Sequence, residues 1–231
     1  MTTLKKIHTG IFRDGGAGAF AKRRYRGRRK ELMMQEGRIM AITGVPYGPG
    51  GKTTWAYAHC PTYQEPAMMY LTGINQNNVI LLLDPNSKVS DEILFVDSRD
   101  RFMEFWEGVR FGVGDEQSLK EVRSVTGIQD VRDIREFKDV LKERLFKQKK
   151  KALGTLWLEG TRRGKPCAIK TDHNYDFKKK LEGWLRSWKV PALKNIMKNH
   201  FELRLPLDKY DVANASKAQD ITGNGFKVML K

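Results

Sequence analysis

Residues 79–83, Val-Ile-Leu-Leu-Leu, constrain the fold more than any other stretch of this chain. Five consecutive apolar residues without a period of two require cover on both faces, which places the strand they form inside its sheet. Asp84-Pro85-Asn86-Ser87 stops the run, and a second one, Ile93 to Val96, is stopped by Asp97-Ser98-Arg99-Asp100. Two short apolar runs bounded by turn formers read as a hairpin of paired strands with its loop over 84–91. Phe102, Phe105 and Trp106 then stand at helical spacing, with Gly108 ending the turn.

The flanking segments alternate in the same way. The basic run Lys22 to Lys30 reads as a helix with a solvated face, anchored by Phe20, Leu32 and Met33 and approached through the flexible Gly15-Gly16-Ala17-Gly18. Gly37 ends that helix, and Arg38 to Thr43 is the first strand. Val131, Ile134, Phe137, Leu141 and Leu145 predict an amphipathic helix over Asp130 to Gln148, with lysines on its last turns. Leu153 to Leu158 reads as a further strand closed by Glu159-Gly160. Phe177, Leu181, Trp184, Leu185 and Trp188 form a helical stripe that reads as core. Pro191 breaks the pattern, and Leu193, Ile196, Met197 and Phe201 begin a short helix. Strands alternating with helices define an α/β class, a mixed β-sheet flanked by helices.

Several of these elements occur together elsewhere. Arg28-Arg29-Lys30-Glu31-Leu32 fits an R-R-x-x-L pattern. It is followed by Tyr70-Leu71-Thr72-Gly73, the Val79–Asp84 strand, Leu94-Phe95-Val96, and Glu104-Phe105-Trp106-Glu107-Gly108 with Arg110 and Gly112. In this order they resemble the N-terminal domain of Xaa-Pro aminopeptidases (aminopeptidase P), of the creatinase/prolidase superfamily. The resemblance implies the creatinase-type N-terminal fold, with a ribonuclease-H-like layout. It also implies that Trp106 reaches a substrate cleft, in a neighbouring subunit, where an indole would pack on proline-containing peptides. Many relatives carry Y-P-[FY]-R-Q-x-S-D-F ahead of Y-L-T-G. Here Gln64 fits, but Tyr63, Pro66 and Ala67 stand where arginine, serine and aspartate are expected.

The tail from Leu203 to Phe226 resembles the family's interdomain linker and the first helix of its catalytic pita-bread domain, including Ala218-x-x-Ile221-Thr222. Pro206 marks a connector, Asp208 a helix N-cap, and Tyr210, Ala218, Ile221, Gly225 and Phe226 one helix face. The expected organisation is therefore an aminopeptidase P N-terminal domain over residues 1–203, then linker and first catalytic-domain helix over 204–231, with the catalytic remainder beyond this chain. The family's hydrolysis uses two divalent metal ions, expected to be manganese, held by two aspartates, a histidine and two glutamates of the pita-bread domain. None of those ligand motifs occurs here, so no catalytic residue, cofactor or metal site is assigned to this chain. The expected partners are the protein's own catalytic domain and further copies, as dimer or tetramer.

Other chemistry finds little support. The four histidines (His8, His59, His173, His200) are far apart, without H-E-x-x-H or C-x-x-C spacing, and G-x-S-x-G is absent. Gly44 to Thr54 imitates a P-loop, but its opening glycine would fall on Pro46, and Pro49 removes a second N–H donor. Two isolated cysteines, Cys60 and Cys167, and no signal-like h-region favour a cytoplasmic setting; no stretch is apolar enough to span a bilayer. The net charge of +16 leaves one competing class, a basic nucleic-acid-binding module using the arginine-rich helix.

Overall fold

The computed structural model describes residues 18–46, 64–99, 102, 104, 111–149, 151–162, 165–168, 173–190, 192–207 and 209–229. Helix α1 (Gly18–Glu36) enters strand β1 (Ile39–Thr43), followed by α2 (Pro66–Thr72), β2 (Ile80–Leu83) and β3 (Glu92–Val96). Then come α3 (Glu116–Thr126), β4 (Asp130–Asp133), a 3₁₀ turn (Ile134–Glu136) and α4 (Phe137–Lys147). Strand β5 (Ala152–Thr155), a hairpin of β6 (Glu159–Arg162) and β7 (Lys165–Ala168), α5 (His173–Ser187), β8 (Ala192–Asn195), α6 (Met197–Arg204) and α7 (Lys209–Met229) complete the order.

Six strands form one sheet in the order β4-β3-β2-β1-β5-β8. Strand β2 runs antiparallel to both β1 and β3, whereas β1–β5, β3–β4 and β5–β8 pair in parallel. A mixed sheet in which the second strand alone is reversed is the ribonuclease-H-like arrangement. All four residues of β2 are buried, as the unbroken apolar run requires. The pleat divides the core in two. Met40, Ile42, Leu81, Leu83, Leu94 and Val96 face Leu32 and Met33 of α1, Met68 and Leu71 of α2 and Val122 of α3. Ile39, Ala41, Ile80, Leu82, Ile93 and Phe95 face Phe137 and Leu141 of α4 and Phe177, Leu181 and Leu185 of α5.

Helix α1 does not lie on the sheet by an ordinary apolar stripe. Its buried positions are Tyr25, Arg29, Leu32 and Met33, one helical face with an arginine in the middle. Arg29 is 0% exposed. Its Nη2 donates to Glu92 Oε2 at 2.8 Å, and its Nη1 donates to the carbonyls of Leu71 at 2.7 Å and Thr126 at 3.1 Å. Leu71 and Thr126 lie in the last turns of α2 and α3, where carbonyls have no intrahelical partner and a cation is favoured. One guanidinium thus joins three helices to the start of β3. The two helix ends are built alike. Thr72-Gly73-Ile74 and Thr126-Gly127-Ile128 each bond the threonine hydroxyl back to the preceding turn, return the isoleucine N–H to that hydroxyl, and place glycine in the left-handed region. At Gly73 a Cβ would also lie 2.5 Å from the Tyr25 ring, so glycine is required twice over.

The structure corrects several sequence expectations. The basic helix forms, but Arg29 is buried, and Arg24 and Arg28 turn inward, so its face is not simply solvated. Residues 130–133 are not helical: they pair in parallel with β3, and the Asp133 carboxylate accepts from Arg135 N at 2.9 Å, so the 3₁₀ turn starts only after it. Ala192 to Asn195 adds to β5 as a strand, and the helix starts at Met197. Strand β5 stops at Thr155 because the Asn195 side chain takes the Trp157 N–H and carbonyl, and Glu159 opens a hairpin instead of closing a strand. Helix α3 was not foreseen. The glycine-rich stretch from residue 47 lies outside the described residues, as do Phe20's side chain, Phe105 and Gly108; Phe102 and Glu104 are helical.

Replacing Arg29 by methionine should cost about 3–5 kcal/mol in urea unfolding, since Glu92 would stay buried without its counter-charge. Adding Glu92→Leu should recover part of that loss. A single-variant loss within about 1 kcal/mol would show that the pair is not what holds α1.

Candidate functional site

The segment that carries Trp106 leaves the sheet after β3 and returns before α3, and the described residues at its base are tightly bound. Ser98 and Val113 bridge in parallel, with Arg99 N donating to Val113 O at 3.2 Å and Val113 N to Asp97 O at 3.1 Å. At Gly112 a Cβ would meet Asp97 O at 2.7 Å and Arg99 N at 2.8 Å, a backbone approach only glycine permits. Arg99 spans the gap: its guanidinium pairs with both carboxylate oxygens of Glu104 and with Asp115, which caps α3 through Ser118 N. The Glu104 bond, with Asp115 behind it, holds the Arg99 guanidinium protonated against partial burial. Glu104 is the first residue of the Glu104-Phe105-Trp106-Glu107-Gly108 element, so that element starts from a fixed point. Trp106 itself lies outside the described residues.

Beside this base is an open cavity of about 480 Å³, lined by Ser98, Arg99, Asp115, Asp133 and Arg135 among others. Its charges answer one another. Arg135 donates to Asp133 at 2.7 and 2.8 Å and to Ser98 Oγ at 2.9 Å, and it holds the Asp133 carboxyl well below the usual carboxylate range. Paired arginines and carboxylates build a polar frame, and within it the Ser98 hydroxyl donates to Asp133 Oδ2 at 2.5 Å, a bond that the Arg135 contacts to both groups tie into the ion pair.

A second set of contacts explains Gln64, the one polar residue that keeps the Y-P-x-R-Q pattern. Its buried amide accepts from Val45 N at 2.9 Å and Glu65 N at 2.8 Å and donates to Gln76 O. Gln76 holds Phe111 by both backbone groups, at 2.7 Å each. Two glutamines thus connect the exit of β1 and the start of α2 to the base of the Trp106 segment. Glu65 caps α2 and receives Asn174 at 3.0 Å and His173 at 3.1 Å; burial works to raise its pKa, but these donors outweigh it and keep the carboxyl below its ordinary value.

Tyr70 of the Tyr70-Leu71-Thr72-Gly73 element is the third fixed point. Arg28 stacks on its ring at 3.8 Å and donates to its carbonyl at 3.1 Å. The phenol donates to Leu203 O at 2.9 Å, and His200 meets the ring edge-on at 5.9 Å. His200 is 3% exposed, and burial, aided by Arg204, pushes its pKa down to about 4. Of the other histidines, His173 pairs with Glu65, and His8 and His59 lie outside the described residues. Among the described residues no group of three or more His, Cys, Asp or Glu could hold a metal ion, and no helix is long and apolar enough to cross a membrane.

A mixed, singly reversed sheet with helices on both faces, and with both flanks of the segment after β3 pinned together, defines an α/β domain. Residues 25–153 match the family model described as aminopeptidase P, N-terminal domain, and the chain belongs to that family. It is 42% identical to a Xaa-Pro aminopeptidase of Haemophilus influenzae over 53 residues, 23% of this chain and 12% of that protein. It is 36% identical to intermediate cleaving peptidase 55 of Saccharomyces cerevisiae over 73 residues, 30% of this chain and 14% of that protein. Aminopeptidase PepP of Pseudomonas aeruginosa shares the fold with a TM-score of 0.63 at 19% identity, covering 83% of this chain and 40% of that one. A variant of Escherichia coli aminopeptidase P does so with a TM-score of 0.63 at 18% identity, covering 87% and 42%. The chain thus spans about two fifths of the length of these solved structures.

Because His200 is held neutral in the fold but takes up a proton near pH 6.5 when unfolded, stability should fall as pH drops from about 6.5 to about 4 and lose nothing further below that from this group. The difference in unfolding free energy between wild type and His200→Leu should accordingly change by on the order of 3 kcal/mol across that window. A pH-independent difference would show that His200 is not the group responsible.

Proposed function

We propose that this chain provides the non-catalytic N-terminal domain of a metal-dependent Xaa-Pro aminopeptidase, which removes the N-terminal residue preceding proline. Residues 1–203 form the domain, and residues 204–231 form the linker and first helix of a pita-bread catalytic domain. Hydrolysis belongs to two divalent metal ions, expected to be manganese, in that catalytic part; a zinc-substituted E. coli aminopeptidase P in complex with product is among the similar structures. The domain's tasks are to help assemble a cytoplasmic dimer or tetramer and to wall the substrate cleft.

The observation that carries this reading is the fixed base of the Trp106 segment. Arg99, Gly112 and Gln76 hold both flanks of a segment whose indole would pack against a substrate proline or the residues beyond it, in a neighbouring subunit. The competing nucleic-acid reading loses support because Arg24, Arg28 and Arg29 are committed to contacts within the chain, leaving Arg23, Arg26 and Lys30 exposed on α1.

With manganese or zinc, these 231 residues alone should not cleave Xaa-Pro peptides, and turnover by the isolated chain would overturn the assignment. Joined to the catalytic part, Trp106→Ala should lower kcat/KM about tenfold or more while the melting temperature stays within a few degrees. Unchanged kinetics would remove Trp106 from the cleft. In a gel-shift assay at moderate salt no duplex DNA or RNA should be retained, and a salt-dependent shift would revive the competing reading.

A further inference from the structure

We propose that Arg24 and Arg28 of α1, closing on Asp211 of α7, form an ionic latch that sets the direction in which the chain leaves the domain. Arg24 pairs with Asp211 Oδ1, and Arg28 Nη2 lies 3.1 Å from Oδ2 and 3.3 Å from Oδ1. The arginine side chains are only 9% and 11% exposed and Asp211 27%, so the contact is far drier than a surface ion pair. Arg28 cannot swing freely, since the Tyr70 ring and carbonyl hold it from below. Tyr70 also grips Leu203 O through its phenol. The stretch between α6 and α7 is therefore clamped on both sides, at Leu203 and at Asp211, by one cluster.

Past that point the described residues of α7 are not buried against the domain. Every residue from 215 to 229 is exposed, Ile221, Phe226 and Met229 included. A helix of 21 residues is about 30 Å long, so a small rotation at its first turn carries its far end a long way. An aspartate in that first turn also suits the positive end of the helix. Because the latch is made of charges instead of a packed apolar seam, its closure sets an angle without fusing α7 to the core. That this angle positions a catalytic part rests on the reading of residues 204–231 given above; the latch itself does not.

The test uses the whole chain with Cys60 and Cys167 changed to serine and spin labels on Lys120→Cys of α3 and Lys227→Cys of α7. Pulsed electron resonance should give one narrow distance distribution for the parent. Asp211→Asn should broaden it, and hydrogen exchange over residues 205–213 should rise about tenfold, the factor a lost charge-assisted bond carries. Exchanging the charges, Arg24→Asp with Asp211→Arg, should restore the narrow distribution, and Asp220→Asn on the exposed helix should leave it unchanged. Three outcomes would overturn the latch: no broadening in Asp211→Asn, equal broadening in Asp220→Asn, or a loss of helical circular dichroism in Asp211→Asn that accounts for the spread. The measurement reads orientation, not turnover. Its failure leaves the assignment of the domain untouched, and failure of that assignment leaves the latch standing.

Discussion

Arg29 is the constraint around which the described fold is arranged. A guanidinium buried in the middle of a helix face is costly unless its donors are met. Here the helix ends that would need capping anyway meet Nη1, and Glu92 at the entrance to β3 meets Nη2, while Nε and Glu92 Oε1 stay buried without a hydrogen-bond partner among the described residues. The arrangement is economical in geometry: α1, α2 and α3 lie on the same side of the sheet, and the carbonyl ends of two of them converge on one cation. Moving any of the three would leave a buried charge or a buried carbonyl without a partner. Position, more than net stabilisation, is what such a pair specifies.

The same residue explains where the sequence was readable and where it was not. Strand β2, its hairpin with β3 and the α5 stripe announce themselves, because an unbroken apolar run and a 3.6-residue period each admit one burial pattern. Helix α1 was legible as a helix but not as a buried one. Counting Arg29 as polar splits the face made by Tyr25, Leu32 and Met33, and no local rule signals that partners wait 42 and 97 residues away. The repeated Thr-Gly-Ile at 72–74 and 126–128 was the available clue, since two identical helix ends suggest one shared cap. Strands β4 and β8 were hidden for another reason. Each has only four residues and is a strand because a neighbouring strand offers a free ladder, a tertiary fact that Val131 and Leu193 cannot express alone.

For the candidate site the balance is similar. Motif resemblance singled out Trp106 and the segment after β3, but nothing in the motif spoke of Gln76, which anchors Phe111, or of Asp211, which engages α1. These are contacts between distant segments whose side chains do common structural work in any protein. What emerges among the described residues is a set of fixed points made by paired side chains, without a group of three or more His, Cys, Asp or Glu that could hold a metal ion.

The placement of the two short outer strands has a consequence for behaviour at high concentration. An uncovered sheet border is a template on which another chain can stack, and long apolar borders invite fibres. In this sheet one border is Asp130-Val131-Arg132-Asp133, its Arg132 held to Asp130 at 2.8 Å, and the other is four residues long, carries Lys194 and is preceded in sequence by Pro191. Charge, brevity and a missing donor discourage sideways growth, so the most apolar strands of the protein stay sealed between neighbours that do not recruit more of their kind.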